Sequence, residues 1–538
     1  MDSTRRSLNK RTPTRILPLW MRVALCLVPA GFIGLFFAWP LTTLIVRVIS
    51  AHAIEDTLTR SGLGRIVFFT FTQALVSTLA TLIVGIGPAY LISRWEFPSR
   101  RVLLAVITVP FMLPTVVVGS AFLALLPPSL HNTAVAIVIV HVFFNIAVVV
   151  RVVGTLWAQI PRDLSGAART LGASSLRSWR SVTLPLLTPS ILATSAIIFL
   201  FTFTSFGVIQ IIGGPGNPTI EVEIARRAIQ LGDVAGAAVL AILQALILLI
   251  VIIFSSRWAR RYTHQLNANN VTRIHPRNNR QKVGVYLGAI TLALVVLTPL
   301  AVLIRSSFRV GNRWSFYAWT NLRAAEIRPG LGTGVDPLNS MATSFRYAIL
   351  ATLIAVTIGT LGALAISSAQ HRGKFLDAGI MLPLGTSAVT IGFGMLITFN
   401  HSPFNWRESE WLIPVGHALV AIPFVVRAVL PVLRARPAAW LDAAATLGAS
   451  RLRAFKEIDL ARLTRPLQTA GAFAAAISLG EFGATTFLTR SGNESMPIAI
   501  GRLLARTGDI PRSQAFMLAS ILAIVTAIIV IGIEMRDA

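Results

Sequence analysis

The sequence predicts an all-α integral membrane protein of about 12 transmembrane helices, built as two parallel six-helix repeats. Three observations predict it: an apolar excess, a series of apolar runs of membrane-spanning length, and an internal duplication. Hydrophobic residues make up 54% of the 538 positions and charged residues only 13%, against about 25% charged in a soluble domain. At a mean hydropathy of +0.71, the apolar surface exceeds what one soluble core can bury. The excess must face lipid.

The apolar runs lie near 23–49, 66–93, 102–126, 132–157, 190–212 and 235–256, and then near 284–304, 343–367, 375–399, 412–434, 467–489 and 514–534. Each approximates the roughly 17–25 residues that cross a bilayer. The first follows RRSLNKRTPTR and precedes Ala51-His52-Ala53, a pattern that mimics a signal peptide. The run is too long for the roughly 7–15 apolar residues of a signal sequence, so it predicts a retained helix. The fifth run ends at Gly213-Gly214-Pro215-Gly216, which leaves its outer end open.

The net charge of +27 would suggest nucleic acid in a soluble protein. Here the basic residues sit in short loops between apolar runs, where they set topology, and no nucleic-acid partner is expected. With the N-terminus inside, 31 of the 48 Lys and Arg fall on inner segments and 14 on outer ones. That bias predicts both termini on the cytoplasmic side of the cell membrane. Cys26 is the single cysteine, so neither an internal disulfide nor a cysteine metal site is available.

The duplication is polar as well as apolar. Gly166 to Ser174 (GAARTLGAS) returns as Asp442 to Ser450 (DAAATLGAS), an offset of 276. The same offset carries His141 to His417, Arg151 to Arg427, and Ser205-Phe206-Gly207 to Glu481-Phe482-Gly483. Upstream, an offset of 274 aligns Thr78-Leu79 with Thr352-Leu353. Six spans per half is an even number, so the halves insert the same way up, related by an axis along the membrane normal. The expected divisions are a first repeat with its N-terminal tail (1–256), a basic cytoplasmic linker (257–282) and a second repeat (283–538).

After its fourth span each repeat carries a long inner loop, 158–189 and 435–466. Long connections between spans need a reason. Ala167-Ala168 and Ala443-Ala444 favour short helices, and Gly172 and Gly448 end them in turns that a Cβ disfavours. Two matched surface helices with small faces suit the docking of another protein.

At this point the chain resembles the membrane subunits of type I ABC importers. Their signature loop reads E-A-A, three residues, G, nine residues, I-x-L-P. The first copy here has Gly166, Ala167, Ala168, Gly172 and then Val182-Thr183-Leu184-Pro185; the second has Asp442, Ala443, Ala444, Gly448 and then Ile458-Asp459-Leu460-Ala461. Spacing is kept in both. The departures are Gly166 and Asp442 for the leading Glu, and Ala461 for the last Pro. The resemblance implies that these loops are coupling helices seated on a dimer of ATPase subunits. It also implies an extracytoplasmic solute-binding protein as a further partner. Both halves in one chain resemble the fused permeases for thiamine or ferric iron. Ser205-Phe206-Gly207 with Gly213-Gly214-Pro215 and then Pro218-Thr219-Ile220-Glu221 is somewhat more similar to the thiamine group, and Glu481-Phe482-Gly483-Ala484-Thr485 is similar also to oxyanion permeases.

No phosphate loop G-x-x-x-x-G-K-[ST] occurs; Gly373-Lys374 runs into Phe375. ATP and Mg are therefore expected on the partner subunit, with no cofactor on this chain and no enzyme active site in it. Glu481 and its counterpart Ser205 are the candidates for the translocation pathway, since intramembrane charge is costly. An internal hydrogen bond that fixes helix packing is the other reading of Glu481. His141 and His417 are expected to make packing hydrogen bonds, and Arg151 and Arg427 to snorkel to the inner surface. The rival to an ATP-driven importer is a self-sufficient secondary transporter using Glu481; an ungated scaffold or channel is a third reading.

Overall fold

A computed structural model describes residues 19–50, 53–59, 62–261, 273–323, 326–328, 331–332, 334–369, 373–400, 405–406, 409–490 and 492–536. The basic N-terminal segment and residues 262–272 of the expected linker lie outside these. The described chain is almost wholly helical, apart from two short antiparallel hairpins in the connection after the seventh apolar run.

Ten helices build each half, in the same order. In the first half, α1 (Leu25–Val48), α2 (Leu63–Arg94), α3 (Arg100–Met112), α4 (Thr115–Leu125) and α5 (Ala134–Gln159) precede the loop helix α6 (Arg162–Thr170). Then follow α7 (Ser175–Phe203), α8 (Gly207–Ile212), α9 (Ile220–Ala225) and α10 (Val234–Arg261). The second half runs α11 (Asn279–Ser307), α12 (Pro337–Ser368), α13 (Gly373–Gly385), α14 (Ala388–Thr398), α15 (Leu412–Arg434) and the loop helix α16 (Ala438–Thr446). It closes with α17 (Ala461–Gly480), α18 (Gly483–Leu488), α19 (Met496–Leu504) and α20 (Asp509–Arg536).

Nine described helices are long and apolar enough to cross a membrane, or up to 11 when each bent pair counts as one span. The difference from 12 has specific causes. The apolar run 467–489 is not one helix: α17 ends at Gly480, and Glu481 leaves it with extended backbone (ψ 121°). Its fifth-span partner breaks at the same place, where α7 ends at Phe203 and α8 restarts at Gly207. The third span of each half is also two helices. Pro114, whose ring removes a donor and excludes helical packing of the preceding turn, separates α3 from α4 at a bend of 100°. In the other half Ser387 caps α14, accepting from Val389 N at 3.1 Å and Thr390 N at 3.3 Å, and the bend is 99°.

The halves clasp each other. α1 packs against α12, α13 and α14 of the second half, and α11 packs against α2, α3 and α4 of the first. α10 joins α1, and α20 joins α11, so a first-and-last helix pair from each half flanks the other half's bent span. α5 and α15 are the most buried spans. The linker's described end is stapled to the first half: Glu96 N donates to Ile274 O (2.9 Å) and Ile274 N to Arg94 O (3.1 Å).

Arg151 and Arg427, expected to snorkel, each also face a carboxylate. Arg151 donates from Nε and Nη2 to Thr108 Oγ1 (3.0 and 2.9 Å) and pairs with Glu534 on α20, an ion pair between halves. Arg427 Nη2 lies 4.0 Å from Asp377 on α13.

Candidate functional site

The two inner loops fold alike to the level of single hydrogen bonds. At the end of α6, Leu171 N donates to Ala167 O (3.1 Å), Gly172 N to Arg169 O (3.0 Å) and Ala173 N to Ala168 O (3.0 Å). At the end of α16, Leu447 N donates to Ala443 O (3.1 Å), Gly448 N to Ala445 O (3.0 Å) and Ala449 N to Ala444 O (2.9 Å). Gly172 and Gly448 hold φ of +86° and +73°, the left-handed conformation that a Cβ penalises. After each turn a serine caps the next helix: Ser174 Oγ accepts from Arg177 N and Ser450 Oγ from Arg453 N, both at 3.3 Å.

That turn thrusts a leucine outward in each loop. Leu171 is 88% exposed and Leu447 86%. Ala167 and Ala443 are exposed beside them, Ala168 and Ala444 half-buried, Gly166 half-buried and Asp442 exposed. The two repeats thus hold an apolar side chain clear of the fold at matched positions. The remaining motif residues lie further on. A π-helical turn begins at the equivalent positions Trp179 and Phe455, a distortion found frequently at functional sites. It delivers Leu184, half-buried, and Pro185, exposed, in one half, and Ile458, half-buried, with the more exposed Leu460 in the other. Arg436 donates to Asp459 Oδ2 at 2.5 Å, and Arg462 lies over the Trp440 ring at 4.9 Å, so the second loop is tied to the helix that follows it. The exposed Arg453 guanidinium bonds Glu457 (2.8 Å), a contact that raises its pKa.

The second locus lies where the two fifth spans break. Phe206 and Phe482 stack across the halves, ring centroids 5.3 Å apart at 26°. The backbones crowd this point: a Cβ on Gly207 would sit 2.2 Å from Thr115 Oγ1 and 3.3 Å from the Phe482 ring. Ser205 and Glu481 each precede one of these phenylalanines.

His141 and His417 anchor the two breaks to the fourth spans. His141 bonds Ser77 Oγ through Nδ1 (3.1 Å) and Ser205 Oγ through Nε2 (2.9 Å). His417 bonds Ser478 Oγ through Nδ1 and Thr485 Oγ1 through Nε2, both at 2.8 Å. Glu481 is buried and occupied: Oε1 accepts from Ala484 N (2.9 Å), and Oε2 from Thr485 N (3.0 Å) and the Thr485 hydroxyl (2.7 Å). Because Thr485 gives its one hydroxyl proton to Glu481, His417 Nε2 must carry the proton it shares with Thr485. The carboxylate therefore caps α18, where orphan N–H groups favour negative charge. Ser205 needs no such charge because His141 holds it directly.

The structure brings Ser205 and Glu481 near one constriction and leaves the loop residues on two separate surfaces. Reading the polar residues alone passed over Phe206 and Phe482, although both stand in the repeated tripeptide that aligned the halves.

Residues 82–265 match the family described as the binding-protein-dependent transport system inner membrane component. The thiamine transport system permease protein of Escherichia coli (strain K12) is 27% identical over 463 residues, covering 81% of this chain and 83% of that protein. The proteins of the same description from Brucella suis and Haemophilus influenzae are 26% and 25% identical, covering 86% and 87% of this chain. Two halves of matched helices, a loop repeated in each and these similarities together support a fused, two-repeat permease of the type I ABC importer class, similar to the thiamine permeases.

Proposed function

We propose that this permease imports a small solute, thiamine foremost and ferric iron next, by alternating access driven by ATP on separate subunits. The observation that carries the reading is the pair of turns with matched hydrogen bonds, each presenting an exposed leucine. α6 and α16 seat on two ATPase subunits, which bind ATP and Mg. When these close, the docking helices move together and the halves rock about the axis marked by Phe206 and Phe482. A solute-binding protein delivers the solute from outside. The thiamine assignment rests on the relatives' names and coverage. Uptake of labelled thiamine by proteoliposomes holding the permease, its ATPase and its binding protein tests it; no uptake with all three present would sink it.

Both termini and the linker are cytoplasmic in this reading. Reporter fusions at Asn269 and Ala538 should be active only with a cytoplasmic reporter. An exported reporter active at Asn269 would overturn the six-plus-six arrangement.

The secondary-transporter alternative needs Glu481 to exchange protons with water. Its two oxygens are instead committed to the N-terminus of α18. Glu481→Gln should therefore keep most ATP-dependent uptake, with a modest loss as one amide group faces the helix N–H groups. Vesicles given internal ATP or an imposed pH gradient distinguish the cases. Uptake driven by the gradient without any ATPase, and lost in the Gln variant, would favour the rival.

A further inference from the structure

We propose that Glu221 is the membrane-embedded contact for the positive charge of the transported solute, a small organic cation. The inference rests on the reading of the chain as a thiamine importer, since the thiazolium ring of thiamine carries a fixed positive charge.

Glu221 lies on α9 and is fully buried. Its Oε1 accepts from Gln244 Nε2 on α10. Its Oε2 has no hydrogen-bond partner, and neither do two other buried oxygens nearby in the chain and the fold, Gln244 Oε1 and Thr219 Oγ1. Buried acceptors in native proteins are normally paired, and an orphaned group needs an explanation. Asp377 Oδ1 on α13 also lacks a hydrogen bond, but Arg427 faces it at 4.0 Å. Glu481 caps α18, and Glu223, two residues along α9, bonds Arg226 (2.7 Å) and Arg227 (2.9 Å).

The repeat shows that the fold does not require a carboxylate here. Ile220 N donates to Thr70 Oγ1 (3.0 Å) in the first half, and Met496 N donates to Ser344 Oγ (2.7 Å) in the second. The same turn is pinned in the same way, yet the next residue is Glu221 in one half and Pro497 in the other. A charge placed at one of two equivalent positions, at the usual intramembrane cost, points to function.

Its position suits a solute path. α9 packs on α14 of the opposite half, and the Ser387 hydroxyl, which caps α14, is a donor that faces the carboxyl. The next residues, Ala388 and Val389, come within 3.3 and 3.2 Å of where a Cβ on Gly483 would stand, and Gly483 adjoins Phe482. The second half therefore contributes to the cover over Glu221, one step from the stacked aromatics. When the halves separate, that cover withdraws. A buried carboxylate with one oxygen left without a close partner suits a ligand that brings positive charge. An anion would be repelled, since Arg226 and Arg227 are committed to Glu223.

The test uses the full chain with its ATPase and binding protein in proteoliposomes, comparing wild type, Glu221→Gln and Glu221→Asp. For Glu221→Gln the apparent KM for thiamine rises by roughly tenfold or more, the scale of one lost charged contact. Glu221→Asp restores part of the affinity. Thiamine binding by the isolated binding protein stays unchanged, and the melting temperature of the Gln variant rises because an unpaired buried charge is gone. Wild-type KM in the Gln variant overturns the proposal. So does a lowered melting temperature with KM unmoved, which marks a structural carboxylate. If wild type carries choline but not thiamine, and the Gln variant loses that uptake, the thiamine reading falls and the cation site stands. If only anionic solutes are carried, both fall.

Discussion

A Gly448→Pro chain is expected to reach the membrane in normal amount and to transport nothing. Gly448 holds φ at +73°, and proline is locked near −65°. The Gly448 N–H that bonds Ala445 O (3.0 Å) would also be lost. The turn that projects Leu447 cannot form, while the spans on either side are untouched. If this loop is the proposed ATPase seat, both ATPase association and uptake should fall to background in co-purification and vesicle assays. Leu447→Asp provides a second route that spares the backbone: it places a charge where an apolar tip must be desolvated, and should weaken association by a factor of about ten or more. Gly172→Pro should act less severely, because Gly166 leaves the first loop without the acid that Asp442 supplies to the second. Full transport in both Gly448→Pro and Leu447→Asp would mean that this loop is not the docking element.

Joint truncation of Phe206 and Phe482 to Ala should open the closed conformation. Their stacking joins the halves at the breaks of the two fifth spans. Such a pair contributes about 0.5–1.5 kcal/mol beyond its buried area, enough to move a two-state equilibrium by up to roughly tenfold. The truncation also leaves a void that packing must tolerate. ATP hydrolysis without binding protein should rise by about that factor, and preloaded vesicles should leak labelled solute. A leak-free double variant with wild-type ATPase activity would show that the closed state is held elsewhere, for instance by the Arg151–Glu534 pair between halves.

Much of this protein was written locally. Apolar runs of spanning length, and the Ala-Ala and Gly of each repeated loop, depend on residues within a few positions of one another. The turns at Gly172 and Gly448 follow from that local chemistry, and so does the exposure of their leucines. The break at Glu481 was legible only as a polar residue in an apolar run. Its meaning as a cap of α18 required knowing which N–H groups lay within reach.

What the tertiary structure alone decided was pairing. Nothing in the run 23–49 or 284–304 says that α1 lies on the second half and α11 on the first. Lipid tails are as apolar as leucine, so a hydrophobic stripe does not specify whether it faces lipid or another helix. The same ambiguity hid the 100° and 99° bends within runs that read as continuous, the partners of Arg151 and Arg427, and the stacking of Phe206 on Phe482. The orphaned oxygen of Glu221 was the least legible feature, because hydrogen-bond satisfaction is a property of what surrounds a group in space, and in a bilayer those surroundings come from helices far apart in the chain.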